Sequence, residues 1–495
     1  MSQSESTSSD QQEFPNGTGS KRKYVFVALF VCCFMIILIL FVIIISNIFQ
    51  GSEGEESEAS QVADNQDEET IELDLNTFNV YKKSHFGFMH PDMLYSFVSE
   101  LNVHWQRPHP GPFIWGDIEQ EPGSFDWTIA DEYVLESQSY DILIMATIWP
   151  YAQWDQKTCH EELPGVPRKD FPELGNYRST PCDDDAYIRF VKALVERYDG
   201  DGNDDMKNLK YPIKHWEVIN EPEMEGDLVF FTSENKADDY KEILKITYNA
   251  IKSADKETYV MNGGIAGLQD EEGLFWKNVL SGSGKNSIDI LTIHSISGPQ
   301  DLNLIQLQEL ILDYDLKQSV WVTEVQFGSM KPDPNLFYDH KDKIEPELLD
   351  TGEEWADYLV KTFVQAFARG ADKLFYVGID TLAPGEDMAQ LVKCSEVNKM
   401  SEKKPDISSC KKQDAYYAFH TMVDKIDYFT MINKLDDGLY KVKLDDSMVY
   451  VLWDEHDLPN GVTGNIIVTD IYGKSESIIA KNFVPSGEVH FVEEK

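Results

Sequence analysis

Two glutamates in this sequence follow apolar, strand-like runs and can together perform acid–base chemistry. Glu221 stands in an Asn-Glu-Pro tripeptide at 220–222, directly after the run 215–219, and Glu324 follows the run 320–323. Cleavage of a glycosidic bond requires two facing carboxyl groups: one protonates the leaving oxygen, and the other attacks the anomeric carbon or activates water. The tripeptide alone is weak evidence, so its weight depends on whether the fold brings the two glutamates together.

The elements that would position these glutamates form a repeating pattern from about residue 85. Eight apolar or β-branched runs are typical of buried strands, at 86–89, 103–107, 142–148, 214–219, 258–262, 288–293, 320–325 and 373–379. Amphipathic segments lie between or after them, such as Asp183 to Tyr198, Glu353 to Arg369 and Gln413 to Lys425. The pattern predicts an α/β fold, a (β/α)8 barrel with enlarged loops. An open doubly wound sheet is the alternative, but it usually carries a Gly-rich first turn, which this sequence lacks.

A barrel of this kind places chemistry at the C-terminal ends of its strands. Glu221 would end the fourth strand and Glu324 the seventh, so their side chains can face each other across the mouth. The alternative interpretation is that both glutamates are members of structural ion pairs.

The region 85–425 resembles clan A of the retaining glycoside hydrolases, and it is most similar to families 39 and 5. The likeness includes the stretch RYDGDGNDDMKNLKYPIKHWEVINEP at 197–222 and the stretch IEQEPGSFDWTIADEYV at 118–134. The resemblance implies that Glu221 is the acid/base and Glu324 the nucleophile of a double-displacement mechanism. No cofactor is expected.

The same resemblance implies roles for three polar residues around the pair. Asn220 matches the residue that contacts the sugar 2-hydroxyl, Arg107 in HWQRPH matches a support for the nucleophile, and His294 in DILTIHSIS matches a residue that lines the site. The sequence departs from the clan where Ile296 replaces a common aromatic and where Tyr376, rather than Trp, ends the eighth strand.

Aromatic side chains near the predicted strand ends are candidates for stacking on sugar faces. Trp149, Trp154 and Tyr376 are assigned to substrate binding, with burial in the core as the alternative. No set of His, Cys or acidic residues has a strong metal-ligand spacing, so no metal site is predicted.

A membrane anchor is predicted near the N-terminus. Residues 24–49 carry no charge, follow Lys21, Arg22 and Lys23, and are long enough to cross a bilayer, so a cleaved signal peptide is the less favoured alternative. The basic flank predicts a cytoplasmic, disordered tail at 1–23 and a single-pass protein whose remaining chain lies outside the cell membrane. Residues 50–75 are rich in Glu and Ser, and they are predicted to form an extended linker because their negative charges repel one another.

The net charge of −44 excludes electrostatic binding of nucleic acid. Residues 76–425 are assigned to the barrel, and 426–495, where short strands alternate with turn residues, to a small C-terminal β-sandwich. Four cysteines fall in two close pairs, Cys159/Cys182 and Cys394/Cys410. An exterior location permits disulfides, so two are predicted, with the pairing left open.

The sequence therefore predicts a membrane-anchored exterior hydrolase of a neutral or weakly charged glycan. The first alternative is a catalytically inactive carbohydrate-binding surface protein on the same barrel. The oligomeric state is not predicted.

Overall fold

The computed structural model describes residues 71–91, 94–163, 172–226, 229–296, 301–327, 351–379, 390–394 and 407–495. The predicted cytoplasmic tail, the predicted anchor at 24–49 and most of the acidic linker lie outside these ranges. Within the described ranges, no helix combines the length and apolarity that crossing a bilayer demands. The described residues all fall in one unit of the chain, Thr70–Lys495.

Eight parallel strands close into a barrel in the order of the sequence, as predicted. Their bounds are β1 (Phe86–Met89), β2 (Trp105–Arg107), β3 (Leu143–Ile148), β4 (His215–Val218), β5 (Tyr259–Asn262), β6 (Ile290–Ile296), β7 (Ser319–Gln326) and β8 (Ala371–Tyr376). Because their side chains are almost all buried, the strands read in the sequence as continuous apolar runs.

Helices follow every strand of the barrel and form its outer layer. The described helices are α1 (Leu75–Tyr81), α2 (Tyr95–Glu100), α3 (Trp115–Ile118), α4 (Thr128–Ser139), α5 (Gln153–Gln156), α6 (Asp184–Tyr198), α7 (Lys236–Ala254), α8 (Asp270–Leu280), α9 (Leu304–Tyr314), α10 (Gly352–Ala368) and α11 (Asp414–Ile426). Asp183 caps α6 by accepting from the Ala186 N–H at 2.9 Å, and Thr351 with Glu354 forms a capping box on α10. Such side chains are favoured at helix starts because they satisfy backbone N–H groups that have no partner within the helix.

The N-terminal end of the barrel is filled by large side chains. Trp105, Trp321 and Phe375 form one apolar cluster there, and Phe78 of α1 packs against it. The buried ammonium of Lys373 lies over the rings of Trp105 and Trp321, at 4.9 and 5.1 Å from their centroids. Because apolar side chains fill this end of the barrel, polar functional side chains are expected at the opposite, C-terminal end.

The C-terminal segment forms an antiparallel sheet of six strands, which confirms the predicted small β domain. A separate two-stranded pair, β9 (Val392–Lys393) with β10 (Lys411–Lys412), precedes it. The six strands are β11 (Met431–Asp436), β12 (Leu439–Lys443), β13 (Met448–Leu452), β14 (Asn465–Asp470), β15 (Ser475–Ile479) and β16 (His490–Glu494). All six belong to one sheet, in which β16 lies between β13 and β14.

Both faces of this sheet bury apolar side chains. Val442 and Val451 belong to the main core, which includes the α10 and α11 side chains, whereas Leu452, Ile466 and Val492 form a second, smaller core. The sheet therefore packs on the barrel through one face and closes its other face with its own loops.

Both predicted disulfides are present. Cys159 is bonded to Cys182, and Cys394 is bonded to Cys410. The first closes the long loop between α5 and α6 at the C-terminal end of the barrel.

Candidate active site

The turn after β4 sets the position of Glu221. Ile219 and Glu221 both have left-handed backbone, with φ of 63° and 40°, although neither is glycine. The strained turn is held by the Ile219 N–H, which donates to the Ile148 carbonyl at 3.0 Å, and by the Tyr240 hydroxyl, which donates to the Val218 carbonyl at 3.1 Å. Strain of this kind concentrates where side chains are held for function.

The β6–β7 pair brings a histidine beside the second glutamate. His294 and Glu324 are register partners on these neighbouring strands. The His294 Nδ1 lies 2.7 Å from a carboxylate oxygen of Glu221 and 3.7 Å from one of Glu324. These three atoms all lie within 4.8 Å of one another, so the fold brings the two predicted glutamates together.

Arg107, at the end of β2, is hydrogen-bonded to three side chains of the site. Its guanidinium donates to Glu324 at 2.8 Å, to Glu217 at 2.7 and 3.1 Å, and to the Asn220 side-chain oxygen at 2.6 Å. Thr147 on β3 donates to the same oxygen of Glu217 at 2.8 Å. The structure thus places Arg107 against Glu324, as the resemblance implied.

The electrostatics of the site follow from burial and from this single guanidinium. Burial would lower the pKa of Arg107, but Glu217 and Glu324 outweigh it and raise the pKa. Burial raises the pKa of Glu324; Glu221 raises it further, and His294 and Arg107 oppose the rise. Burial lowers the pKa of His294 to about 4, so the imidazole is neutral at neutral pH and Arg107 supplies the positive charge.

The tautomer of His294 follows from its surroundings. Its Nδ1 faces two carboxyl groups, whereas its Nε2 is buried without a hydrogen-bond partner among the described residues. A proton on Nδ1 can be donated to the carboxylates, and we assign the neutral ring that tautomer. Gly264 makes this position possible, because a Cβ there would lie 1.8 Å from Nε2.

Two of the three predicted aromatic residues are fully buried. Trp149 is fully buried and donates to the Pro110 carbonyl at 2.7 Å, and Trp154 is half-buried and donates to the Glu119 carbonyl at 2.6 Å. Tyr376 is fully buried and stacks on Phe419. Ile296, at the predicted departure from the clan, is exposed. Sugar binding by these three aromatic residues stays a prediction.

Sequence reasoning did not single out Glu217, although a signal was present. A charged residue in the middle of a buried parallel strand requires a partner, and Glu217 is fully buried. It also missed Glu223, two residues after Glu221, whose carboxyl group is buried and accepts from the Trp276 indole N–H at 2.7 Å. A third acidic residue beside an Asn-Glu-Pro motif carries no such signal.

Three groups among the described residues have ligand atoms close enough to hold a metal ion. They are Cys159, His160 and Cys182; Glu221, His294 and Glu324; and Asp199, Asp201 and Asp205. The two cysteines of the first are joined in a disulfide, and the second is the candidate active site itself. In the third, Asp205 accepts from the backbone N–H groups of Gly200 and Gly202.

Comparison with known proteins supports the architecture. No protein-family model matches the chain, and no curated protein matches it in sequence. Solved structures do match. A family 39 glycoside hydrolase from Bacteroides cellulosilyticus is 15% identical, with a TM-score of 0.55 and coverage of 84% of this chain and 82% of the other.

Two further structures give the same result. A monomeric beta-xylosidase from Caulobacter crescentus is 14% identical, with a TM-score of 0.53 and coverage of 82% of this chain and 94% of that one. A family 39 enzyme from Xanthomonas axonopodis is also 14% identical, with a TM-score of 0.51 and coverage of 86% and 97%. At these identities the likeness establishes a shared fold: the chain has the barrel architecture of clan A glycoside hydrolases.

Proposed function

We propose that this protein is a retaining glycoside hydrolase in which Glu324 is the nucleophile and Glu221 the acid/base. The observation that carries the proposal is the approach of one oxygen from each glutamate to within 4.8 Å, at the C-terminal mouth of the barrel. Retaining enzymes keep their two carboxyl groups ~5–5.5 Å apart, whereas inverting enzymes separate them by ~6.5–9.5 Å to admit a water.

The contacts of each glutamate support its proposed role. The ion pair with Arg107 at 2.8 Å favours the ionised form of Glu324, which the attack on the anomeric carbon needs. The Glu221 carboxyl group lies 2.7 Å from the Nδ1 of the neutral His294, and two close carboxylates resist ionising together. Glu221 would therefore hold the proton that the leaving oxygen receives.

The reaction then proceeds in two steps with balanced charge. Glu324 attacks the anomeric carbon as Glu221 protonates the departing oxygen, which leaves a neutral glycosyl ester and an ionised Glu221. Glu221 next removes a proton from water, the hydroxide attacks the anomeric carbon, and Glu324 leaves as a carboxylate. Asn220, whose side-chain oxygen accepts from Arg107 at 2.6 Å, would contact the sugar 2-hydroxyl in this proposal.

The test is a panel of aryl glycosides, which should include xylosides because one similar structure is a beta-xylosidase. We expect Glu324→Ala to lose hydrolysis on every substrate, by several orders of magnitude. Glu221→Ala should lose much less on nitrophenyl leaving groups, which depart without a proton, than on poor leaving groups. Glu242→Ala, an exposed position on α7, is the matched control.

Two further measurements can contradict the proposal. A 2-fluoro-sugar trap should label Glu324, and proton magnetic resonance of the first product should show a retained anomeric configuration. Inversion of configuration would refute the double displacement. Saccharide binding without hydrolysis on any substrate would favour the inactive carbohydrate-binding alternative.

We also propose that residues 24–49 anchor the protein in a membrane and leave the barrel outside the cell. The uncharged stretch, its basic N-terminal flank and two disulfides in the barrel support this arrangement. Protease protection of the tail at 1–23 in intact cells, with the barrel accessible to the same protease, would test it.

A further inference from the structure

Tyr240, on α7, is a fully buried tyrosine whose hydroxyl lies between the ends of two barrel strands. The hydroxyl donates to the Val218 carbonyl, at the end of β4, at 3.1 Å. It accepts from the Gly263 N–H, directly after β5, at 2.7 Å. The phenol is therefore hydrogen-bonded to both strands at the point where the chain leaves β4 for the turn that carries Glu221.

The register of these two strands shows what the hydroxyl replaces. The Tyr259 N–H, on β5, donates to the Lys214 carbonyl, before β4, at 2.7 Å, and the same register continues along the pair. In a parallel ladder the hydrogen bonds are evenly spaced, and alternate N–H groups point to the same neighbouring strand. The N–H of Gly263 therefore faces the Val218 carbonyl, and the Tyr240 hydroxyl is inserted where these two groups would otherwise bond directly.

The turn after β4 depends on such contacts because its backbone is unfavourable. Ile219 and Glu221 have left-handed backbone, with φ of 63° and 40°. Residues other than glycine adopt this region only when their surroundings hold them there. The Ile219 N–H donates to the Ile148 carbonyl on the β3 side, at 3.0 Å, and Tyr240 supplies the matching hydrogen bonds on the β5 side.

Gly263 packs against the same turn. A Cβ at this position would lie 2.9 Å from the Ile219 carbonyl oxygen, 2.9 Å from the Pro222 Cδ and 3.0 Å from the Val218 carbonyl oxygen. The absence of a side chain allows the end of β5 to approach the turn closely, and the Tyr240 hydroxyl bridges the groups that remain apart.

The bridge keeps its proton at every pH at which an enzyme is assayed. Burial raises the pKa of Tyr240 well above its ordinary value, the Gly263 N–H opposes the rise, and the nearby Glu217 adds to it. The neutral phenol can therefore donate to Val218 throughout this range.

We propose that Tyr240 is a positioning residue, which sets the place of the acid/base Glu221 by holding the β4 turn at a fixed distance from β5. The proposal rests on the function proposed above, because that function gives Glu221 its role. Without the hydroxyl, the Val218 carbonyl and the Gly263 N–H either close on each other or lose their partner, and both outcomes release the turn. The Glu221 carboxyl group would then shift relative to the His294 Nδ1, from which it lies at 2.7 Å.

The first measurement is kcat/KM of the full-length Tyr240→Phe protein on phenyl and dinitrophenyl glycosides of the sugar that the aryl panel selects. Dinitrophenolate departs without a proton, whereas phenolate needs one from Glu221. We expect kcat/KM to fall by about 10- to 100-fold on the phenyl glycoside and to fall less on the dinitrophenyl glycoside. A loss of folded protein lowers both values by the same factor, so the ratio between them reports the position of the acid.

The second measurement requires no hydrolysis. In nitrogen–proton correlation spectra of the histidine rings, the Nδ1 signal of His294 can be assigned by its absence from a His294→Gln protein. The signal should shift in Tyr240→Phe, because the hydrogen bond between His294 and Glu221 changes. If the protein hydrolyses no glycoside, the proposed function fails, and this signal alone decides whether Tyr240 positions Glu221.

A second variant and a matched control complete the design. Gly263→Ala pushes on the same turn through its Cβ, so it should lower the phenyl-to-dinitrophenyl ratio in the same direction, and it serves if Tyr240→Phe does not fold. Tyr187→Phe is the control, because Tyr187 is also fully buried and its hydroxyl lies 2.8 Å from that of Thr247, between α6 and α7. It should keep the wild-type ratio and the wild-type His294 signal.

Two results would overturn the proposal. One is a wild-type ratio in Tyr240→Phe or, in a protein without activity, a wild-type His294 signal. The other is an equal change in Tyr187→Phe, since the effect would then follow from the loss of any buried hydroxyl of α6 or α7.

Discussion

Two groups of carboxyl side chains flank the turn after β4, and they differ in whether a guanidinium holds them. On one side, Glu217 and Glu324 are both hydrogen-bonded to the buried Arg107. On the other side, Glu223 accepts only from neutral N–H groups, and its second oxygen has no described partner. Only Pro222 separates Glu223 from Glu221, which lies against His294 on the first side.

The difference shows how buried carboxyl groups near one turn can differ in their preferred protonation state. A buried guanidinium favours the ionised form of a carboxyl group bonded to it, because the opposite charge offsets part of the cost of burial. A carboxyl group that lacks such a partner gains a proton instead, as the pKa of about 8 for Glu223 indicates. The first arrangement suits a nucleophile, and the second keeps a buried carboxyl group neutral.

The largest expected effect within this comparison comes from replacing the Arg107 guanidinium. Arg107→Lys keeps the charge, but a lysine cannot reach Glu217, Glu324 and Asn220 in one planar arrangement. We expect kcat/KM to fall by about 10²- to 10³-fold, because the nucleophile loses its orientation. Since the Arg107 hydrogen bond lowers the pKa of Glu324, its loss should also move the acid limb of the pH profile of kcat/KM to higher pH.

The control for this prediction is the same substitution at another ion pair. Arg197 donates to Asp131 at 2.8 Å, between α6 and α4 and outside the site. Arg197→Lys should leave both kcat/KM and the pH profile near their wild-type values. An Arg107→Lys enzyme with wild-type kinetics would show that the guanidinium does not support the nucleophile.

A smaller effect is expected on stability, and it comes from Glu223, whose carboxyl group is bonded to neutral N–H groups instead of a guanidinium. Glu223 has a folded pKa of about 8 against an ordinary value of 4.5, so the native state binds more protons than the unfolded state between these limits. Its contribution to stability is therefore fully present below about pH 4.5 and is lost as the pH rises through 8. Glu223→Gln mimics the protonated form, so it should match the wild type at pH 5 and exceed it at pH 9, by on the order of 2–4 kcal/mol.

Midpoints of thermal unfolding between pH 5 and pH 9 measure this difference. Glu225→Gln is the matched control, because Glu225 lies in the same loop but is exposed and paired with Lys236. It should show no comparable gain at high pH. A Glu223→Gln protein that is less stable than the wild type at pH 9 would contradict the assignment of a protonated Glu223.

The sequence predicted the barrel well because its strands are buried on both sides. Each predicted run lies within three residues of the observed strand, and the helix starts at Asp183 and Thr351 have the polar side chains that favour them. Glu221 and Glu324 could be placed because parallel strands end at one rim of a barrel. The spacing of the cysteines indicated two disulfides but left their pairing open, and the structure joins the cysteines that are close in the chain.

The rest of the site depends on contacts that are distant in the chain. Arg107 meets Glu217 across 110 residues, and Trp276 meets Glu223 across 53, so neither pairing leaves a local pattern. A tryptophan at a strand end looks the same in sequence whether it faces the mouth or the helix layer, which is why the burial of Trp149 could not be decided. Left-handed backbone at Ile219 is also unexpected for a β-branched residue.

The smallest expected effect comes from removing one hydrogen bond, from the Trp276 indole N–H to Glu223. Trp276→Phe removes the indole donor to Glu223 and retains a ring that can pack on Tyr240 and Phe275. Trp216→Phe is the matched control, because the Trp216 indole N–H is buried with no hydrogen-bond partner among the described residues. Trp276→Phe should therefore be the more destabilising change, by about 1 kcal/mol in the free energy of unfolding. Because the Trp276 hydrogen bond lowers the pKa of Glu223, its loss should also extend the stability decline to higher pH. Equal destabilisation by the two substitutions would mean that the indole donor contributes nothing to the loop that carries Glu221.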